Sequence, residues 1–330
     1  MQPGLKNIKI KRPRHSKEVY KNKLHKLLMG SREKDGLLKQ IVVYALLICI
    51  GFVYLFPILF MISRSFMSLN DLLDSSISWI PSRLYLDNYI QSAKSMQYLT
   101  TFFKSVVITC LPTVINVVMC SIIGYGFARF EFRFKKLFMA ILIFSYILPS
   151  QITMMPTYVL FHNLKLTNTL WSFILPSIFG QGLNAPIFIL IFYQFFKQVP
   201  KVLIEAAHID GAGYFRSFLR ISIPSAVPAI ITVFLFSIVW YWNESYLTQL
   251  YISGYTSDKG YWTTLLIQLK EFDVNYGNFQ RMAMQGTTQD NNESIRMAAT
   301  MLSIGPVLVM YFIMQRFFVE SIDRTGITGE

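Results

Sequence analysis

Six long stretches without a single charged residue constrain this chain more than any other feature. Between consecutive Lys, Arg, Asp or Glu residues, the gaps 40–63, 105–128, 137–164, 166–196, 221–243 and 297–315 are 24, 24, 28, 31, 23 and 19 residues long. The next longest, 245–257, has only 13. A helix that crosses a bilayer needs about 20 mostly apolar residues. Hydrocarbon admits only helices or closed barrels, because each backbone amide must find a partner inside the protein. A spanning strand would alternate apolar and polar side chains, whereas these stretches are continuously apolar. The pattern predicts an all-α integral membrane protein with six transmembrane helices, at about 40–63, 105–128, 137–160, 171–196, 221–244 and 296–316. Charged residues are 15% of the chain, against about 25% in soluble domains, which excludes an ordinary soluble enzyme.

The remaining charge orients the bundle. Of a net charge of +13, residues 1–39 contribute 12 basic and 3 acidic side chains. Connection 129–136 holds Arg129, Arg133, Lys135 and Lys136, and 197–220 holds Lys197, Lys201, Arg216 and Arg220. The alternate connections are poorer in basic residues for their length: 64–104 has four, 162–165 has one, and 244–296 has four against six acidic. Because Lys and Arg collect on the cytoplasmic side, both termini and loops 129–136 and 197–220 should be cytoplasmic. The organisation is then a basic tail (1–36), a six-helix domain (37–320) with a cytoplasmic loop at 197–223, and a C-terminal tail (321–330). The basic tail has the charge to bind nucleic acid; anionic lipid is the plainer partner. Residues 16–29 read as a short amphipathic helix on the membrane. Cys49, Cys110 and Cys120 lie in apolar stretches with no paired spacing, and there is no metal-ligand or nucleotide-binding motif.

The loop between the fourth and fifth spans carries the most information. Pro200 can begin a helix, and Glu205-Ala206-Ala207 favour one. Asp210-Gly211-Ala212-Gly213 then supplies a turn. Phe215, Phe218 and Ile221, three apart, predict an apolar stripe on a second helix, and Pro224 marks the entry to the fifth span. The ordered set Glu205, Ala206, Ala207, Asp210, Gly211, Ala212, Phe215, Phe218, Ile221 and Pro224 resembles the EAA loop of binding-protein-dependent ABC importer permeases, with Ile223 where Leu is usual. Further strings resemble the maltose-type carbohydrate branch, in particular its shorter permease subunit. They are Phe56-Pro57, Trp79-Ile80-Pro81-Ser82 with Asn88-Tyr89, Gly124 to Arg129, Trp242-Asn243-Glu244, and Gln315 to Ile322. The end of the chain, Gly326 to Glu330, departs from the family pattern, the basic N-terminus is longer, and Gln285 to Ser294 looks inserted.

The resemblance implies a type I importer permease in the bacterial cytoplasmic membrane that transports sugars, with an oligosaccharide as the expected substrate, and that forms half of the translocation path. It implies no enzymatic activity and no bound cofactor, with ATP and Mg on partner subunits. The implied partners are a second permease, two cytoplasmic ABC ATPases docking on Glu205 to Pro224, and an extracytoplasmic sugar-binding protein. Loop Tyr255, Thr256, Ser257, Asp258, Lys259 and Gly260 would reach that binding protein; a solvated loop without a partner is the plain alternative. Polar and aromatic residues in the spans, Asn116, Gln181, Asn184, Trp240, Trp242 and Asn243, are candidates for the substrate path, since unpaired polar groups are costly in lipid. Trp240 and Trp242 read equally as an aromatic belt, and Asn116 and Asn184 as contacts between helices. A permease for another solute, such as glycerol phosphate, and a six-span membrane enzyme are the alternatives; the spans hold neither a basic path nor a catalytic cluster.

Overall fold

The computed structural model describes residues 30–31, 34–252, 262–282 and 293–327, in two units, 1–61 and 62–330. The tail helix expected at 16–29, loop 255–260 and most of the insertion 285–294 lie outside the described residues. In the first unit, β1 (Gly30–Ser31) pairs antiparallel with β2 (Lys34–Asp35), a ribbon of two-residue strands; the other regular elements among the described residues are helical. Helix α1 (Leu37–Ser65) follows. Its 29 residues rise about 44 Å at 1.5 Å per residue.

The second unit continues with α2 (Leu69–Leu73), α3 (Asp87–Ser95), α4 (Tyr98–Arg129), α5 (Lys135–Ile147), α6 (Ser150–Asn163), α7 (Trp171–Ile178) and α8 (Ala185–Gln198). Helices α9 (Lys201–Ile209), α10 (Tyr214–Ser217) and α11 (Ile223–Ser225) lead through the loop into α12 (Val227–Asn243). The chain ends in α13 (Tyr246–Ile252), α14 (Leu265–Lys270), α15 (Phe272–Met282) and α16 (Glu293–Ile327).

Among the described residues, three helices are long and apolar enough to cross a membrane: Leu37–Ser65, Tyr98–Arg129 and Glu293–Phe317. Three more stretches qualify only as bent pairs: α5 with α6 at 99°, α8 with α9 at 71°, and Tyr214–Ser225 with α12 at 77°. Counting each pair as one span gives up to six among the described residues. The bend between α5 and α6 has a local cause. Leu148 is extended (φ −63°, ψ 126°) immediately before Pro149, whose ring disfavours a helical conformation in the residue preceding it. The charge-free run 137–164 is therefore two rods rather than one.

Helix α4 is the axis of the second unit, with 32 residues rising about 48 Å. It packs against α7, α8 and α12. Gly124 permits the crossing with α8: a Cβ there would lie 2.6 Å from Phe192 Cβ and 3.0 Å from the Ile189 carbonyl oxygen. Around it Cys120, Phe188, Phe192, Phe196, Ala229 and Val233 form the main apolar core. A separate cluster at the N-terminal end of α4 joins Met96, Leu265, Phe272, Tyr276, Ile295 and Ala299. There Ser105 Oγ accepts from the Leu265 N–H at 2.9 Å, and Ser92 Oγ donates to the Ile295 carbonyl at 2.9 Å.

Candidate coupling surface and polar latch

The loop 197–223 folds into two short helices at an angle, α9 and α10. Helix α9 ends in a Schellman turn: the Ala212 N–H donates to the Ala207 carbonyl at 2.8 Å, and the Gly211 N–H to the His208 carbonyl at 3.0 Å. Gly211 has φ +78°, a left-handed conformation in which Cβ-bearing residues are strained. His208 closes the corner, its Nδ1 2.7 Å from the Ala212 carbonyl oxygen and its ring 4.7 Å from Tyr214.

Apolar side chains crowd the outer surface of this corner. Val202 (70%), Ile209 (87%) and Phe215 (71%) are strongly exposed. Glu205, Ala206, Asp210 and Gly211 share that exposure, while Ala207 and Ala212 are half-buried. Phe218 behaves differently, being 6% exposed. Its ring lies 4.8 Å from Tyr125 and 6.0 Å from Phe196. The expected stripe of Phe215, Phe218 and Ile221 therefore divides: one ring outside, one in the core and one half-buried. The reason is a change of helix type, because a π-turn occupies Phe218–Ser222 and a fixed spacing of three no longer holds one face. Pro224 is exposed on α11, beyond that turn.

The corner is fastened to the end of α4. Arg129 Nη2 donates to the Val199 carbonyl at 2.6 Å, and Phe130 packs on Tyr214 at 5.2 Å. Beside it, Lys135 bonds Glu131 at 2.9 Å, which holds the Glu131 carboxyl below its ordinary pKa.

The polar residues expected to line a path occupy two kinds of place. Asn116 is fully buried. Its Nδ2 donates to the Leu183 carbonyl at 3.2 Å, and its Oδ1 accepts from the Cys120 thiol at 3.3 Å. From α12, the Tyr241 hydroxyl accepts from the Leu183 N–H at 3.1 Å and lies 2.9 Å from Ser177 Oγ. Ser177 Oγ already donates to the Phe173 carbonyl at 2.8 Å, so the remaining proton between the pair comes from Tyr241. Both backbone groups of Leu183 are thus held by side chains. Leu183 lies in the break between α7 and α8, where no helix supplies those bonds and an apolar medium supplies none either.

Gln181 and Asn184, in the same break, are exposed, as is Asn243 at the end of α12. Trp240 and Trp242 point apart: Trp240 packs on Phe188 at 5.3 Å, while Trp242 Nε1 donates to the Ser303 carbonyl at 3.3 Å. The string Trp240-Tyr241-Trp242-Asn243-Glu244 stands out as a whole, but the path candidates taken from it are Trp240, Trp242 and Asn243, and Tyr241 is the one at the latch. The available signal was the helical repeat, since consecutive residues about 100° apart cannot share a face. Among the described residues, no group of three or more His, Cys, Asp or Glu side chains could hold a metal ion.

The family model for the inner membrane component of binding-protein-dependent transport systems matches residues 118–324. The chain belongs to that family. The permease is 29% identical over 274 residues, 83% of its length and 84% of the relative's, to a probable ABC transporter permease protein, YurM, of Bacillus subtilis (strain 168). It is 29% identical to the arabinooligosaccharides transport system permease protein AraQ of Halalkalibacterium halodurans, over 85% of this chain and 93% of that one. Its fold matches that in the crystal structure of a bacterial ABC transporter involved in the import of the acidic polysaccharide alginate, with a TM-score of 0.71. The match has 21% identity and covers 87% of this chain and 98% of the other. The permease is a multi-pass membrane protein and a transport subunit rather than an enzyme, and it works with other transporter subunits.

Proposed function

We propose that this permease forms one half of the membrane path of an ATP-driven sugar importer and takes up an oligosaccharide. It pairs with a second permease, and an extracytoplasmic binding protein delivers the sugar. Two cytoplasmic ABC ATPases bind and hydrolyse ATP with Mg. The substrate class rests on the relative named for arabinooligosaccharides and on the maltose-type strings of the sequence. In this reading Glu205 to Ala212 and Phe215 dock into the ATPase, while Phe218 transmits the motion into α4 and α8. Gln181, Asn184 and Asn243 face the path, and Asn116 and Tyr241 hold its wall. Residues Tyr255 to Gly260 meet the binding protein.

The observation that carries the reading is the exposed apolar corner Val202, Ile209 and Phe215, fixed to the bundle by Arg129 and Phe218. Apolar surface concentrated on a cytoplasmic loop calls for a protein partner. The test is the complete complex in proteoliposomes, with Gly211→Pro or Glu205→Lys in this chain. Proline cannot adopt the φ of +78° at Gly211, and a lysine at 205 reverses an exposed charge. Either change should leave the complex assembled and abolish stimulation of ATP hydrolysis by sugar-loaded binding protein, together with uptake. Uptake at the parental rate in both variants would overturn the coupling assignment.

A further inference from the structure

Helix α5, 13 residues from Lys135 to Ile147, has no buried residue. One side of it meets α8, where Leu142 packs on the main core. The other side carries Leu137, Ala140, Phe144 and Ile147, all exposed, at steps of three and four that form one strip. Arg133 and Lys136 stand where the strip begins, and both are exposed. We propose that the strip and these two cations bind an anionic phospholipid of the cytoplasmic leaflet, with an acyl chain along the strip and the phosphate on Arg133 and Lys136. Such a lipid is a partner apart from the transported solute and its route.

Length, charge and access select that occupant. From Leu137 to Ile147 the strip rises about 15 Å, half of a hydrocarbon core of about 30 Å and so one leaflet. It lies within the charge-free run 137–164, out of reach of a water-soluble partner. Before it, the loop alternates charged and aromatic residues, Arg129-Phe130-Glu131-Phe132-Arg133-Phe134. The other charges here are engaged within the chain. Arg129 Nη2 donates to the Val199 carbonyl, and Lys135 Nζ bonds Glu131 at 2.9 Å and the Phe130 carbonyl at 3.0 Å. Arg133 and Lys136 are left, and neither forms a salt bridge among the described residues. The Arg133 guanidinium lies 5.0 Å from the centre of the Phe134 ring. That cation–π contact holds the charge against exposed apolar surface, while the N–H edge of the group suits phosphate oxygens. Phe134 is itself exposed, as are Phe132 and Phe138, 6.2 Å apart; aromatic rings settle at headgroup level. A second permease is the other body that a membrane-facing strip could meet. It would bring its own Lys and Arg to this level, against two like charges, whereas a phosphodiester brings the opposite sign.

The test uses the complete transporter. Native mass spectrometry would follow the binding of phosphatidylglycerol and of phosphatidylcholine with the same acyl chains. Phosphatidylglycerol should bind at least about tenfold more tightly. R133Q with K136Q should lower its affinity about thirtyfold and leave phosphatidylcholine binding unchanged. R133K with K136R, which keeps both charges, should keep the preference. In a second arm, a photoreactive residue in place of Phe144 is irradiated in vesicles of the two lipids. It should capture phospholipid, with phosphatidylglycerol enriched over its share of the bilayer. Equal affinity for the two lipids, an unchanged preference in the R133Q/K136Q protein, or an equal loss for both lipids would overturn the proposal. So would capture of the second permease from position 144. Should the R133Q/K136Q protein fail to assemble, the cross-link decides alone, and captured lipid no richer in phosphatidylglycerol than the bilayer would overturn the proposal. Neither arm involves sugar or ATP, so loss of the lipid site would leave the transport reading standing.

Discussion

The turns at Gly180 and Gly211 share one local structure and serve opposite surroundings. Each ends a helix in a Schellman turn, with the Gln181 N–H donating to the Pro176 carbonyl at 2.8 Å in one and the Ala212 N–H to the Ala207 carbonyl at 2.8 Å in the other. The glycines have φ of +68° and +78°. A Cβ at Gly180 would lie 2.3 Å from Ile123 Cδ1, whereas at Gly211 nothing lies within 4 Å. The first turn folds the chain inward, where Asn116 and Tyr241 take over the bonds a helix would make. The second turns the chain outward and leaves apolar side chains uncovered. The same backbone device thus serves packing in one place and presentation in the other, and only the surroundings tell them apart.

The contrast is broken most strongly at the two phenylalanines flanking the outer turn. Phe218→Ala should destabilise the permease by about 3–5 kcal/mol, as truncation of a core aromatic does. Phe215→Ala should stay within about 0.5 kcal/mol, as an exposed change does. Thermal unfolding of the purified chain in detergent measures both, and equal losses would remove the distinction between anchor and docking surface.

The glycines give the next comparison. Gly211→Ala should cost about 1–2 kcal/mol, the penalty of a Cβ in a left-handed conformation. Gly180→Ala should cost more in the same assay, because the close approach of Ile123 adds to that penalty. Tyr241→Phe sharpens the inner side alone. It leaves the Leu183 N–H unpaired at a cost of about 1–3 kcal/mol, and hydrogen exchange at Leu183 should quicken while the outer turn stays unchanged.

A helix end held by charge rather than by glycine supplies the smallest effect. At the start of α2, Asp71 accepts from Ser82 Oγ at 2.6 Å and from the Ser68 N–H at 3.1 Å. These bonds hold its carboxyl below the ordinary value. The sign follows: the bonds stabilise the loop above the unfolded carboxyl's pKa, and that contribution fades as pH falls through the lowered folded value. Asp71→Asn should flatten the acid dependence of exchange in residues 68–82 and leave both glycine turns as they were.

Much of this was legible in the sequence because charge and glycine act locally. The runs 40–63, 105–128 and 297–315 fall within single long helices, and the Asp210-Gly211 turn forms where its composition puts it. What stayed hidden depends on neighbours distant in sequence. The bend before Pro149 has its local signal in that proline, but a charge-free run does not reveal the break at 179–184, since both halves are equally apolar. The inward path of Phe218 depends on Tyr125 and Phe196, and the π-turn erases the spacing that would have announced it. Asn116 reads as a polar group in search of a ligand until Leu183 is seen to occupy it.

Photo-cross-linking in the assembled, ATP-hydrolysing complex asks most directly whether the outer turn is a docking surface. A photoreactive residue at Ile209 or Phe215 should capture the ATPase subunit, and one at Phe218 should capture only this chain. Failure to capture the ATPase from either exposed position would contradict the coupling role, and capture from Phe218 alone would reverse the two faces.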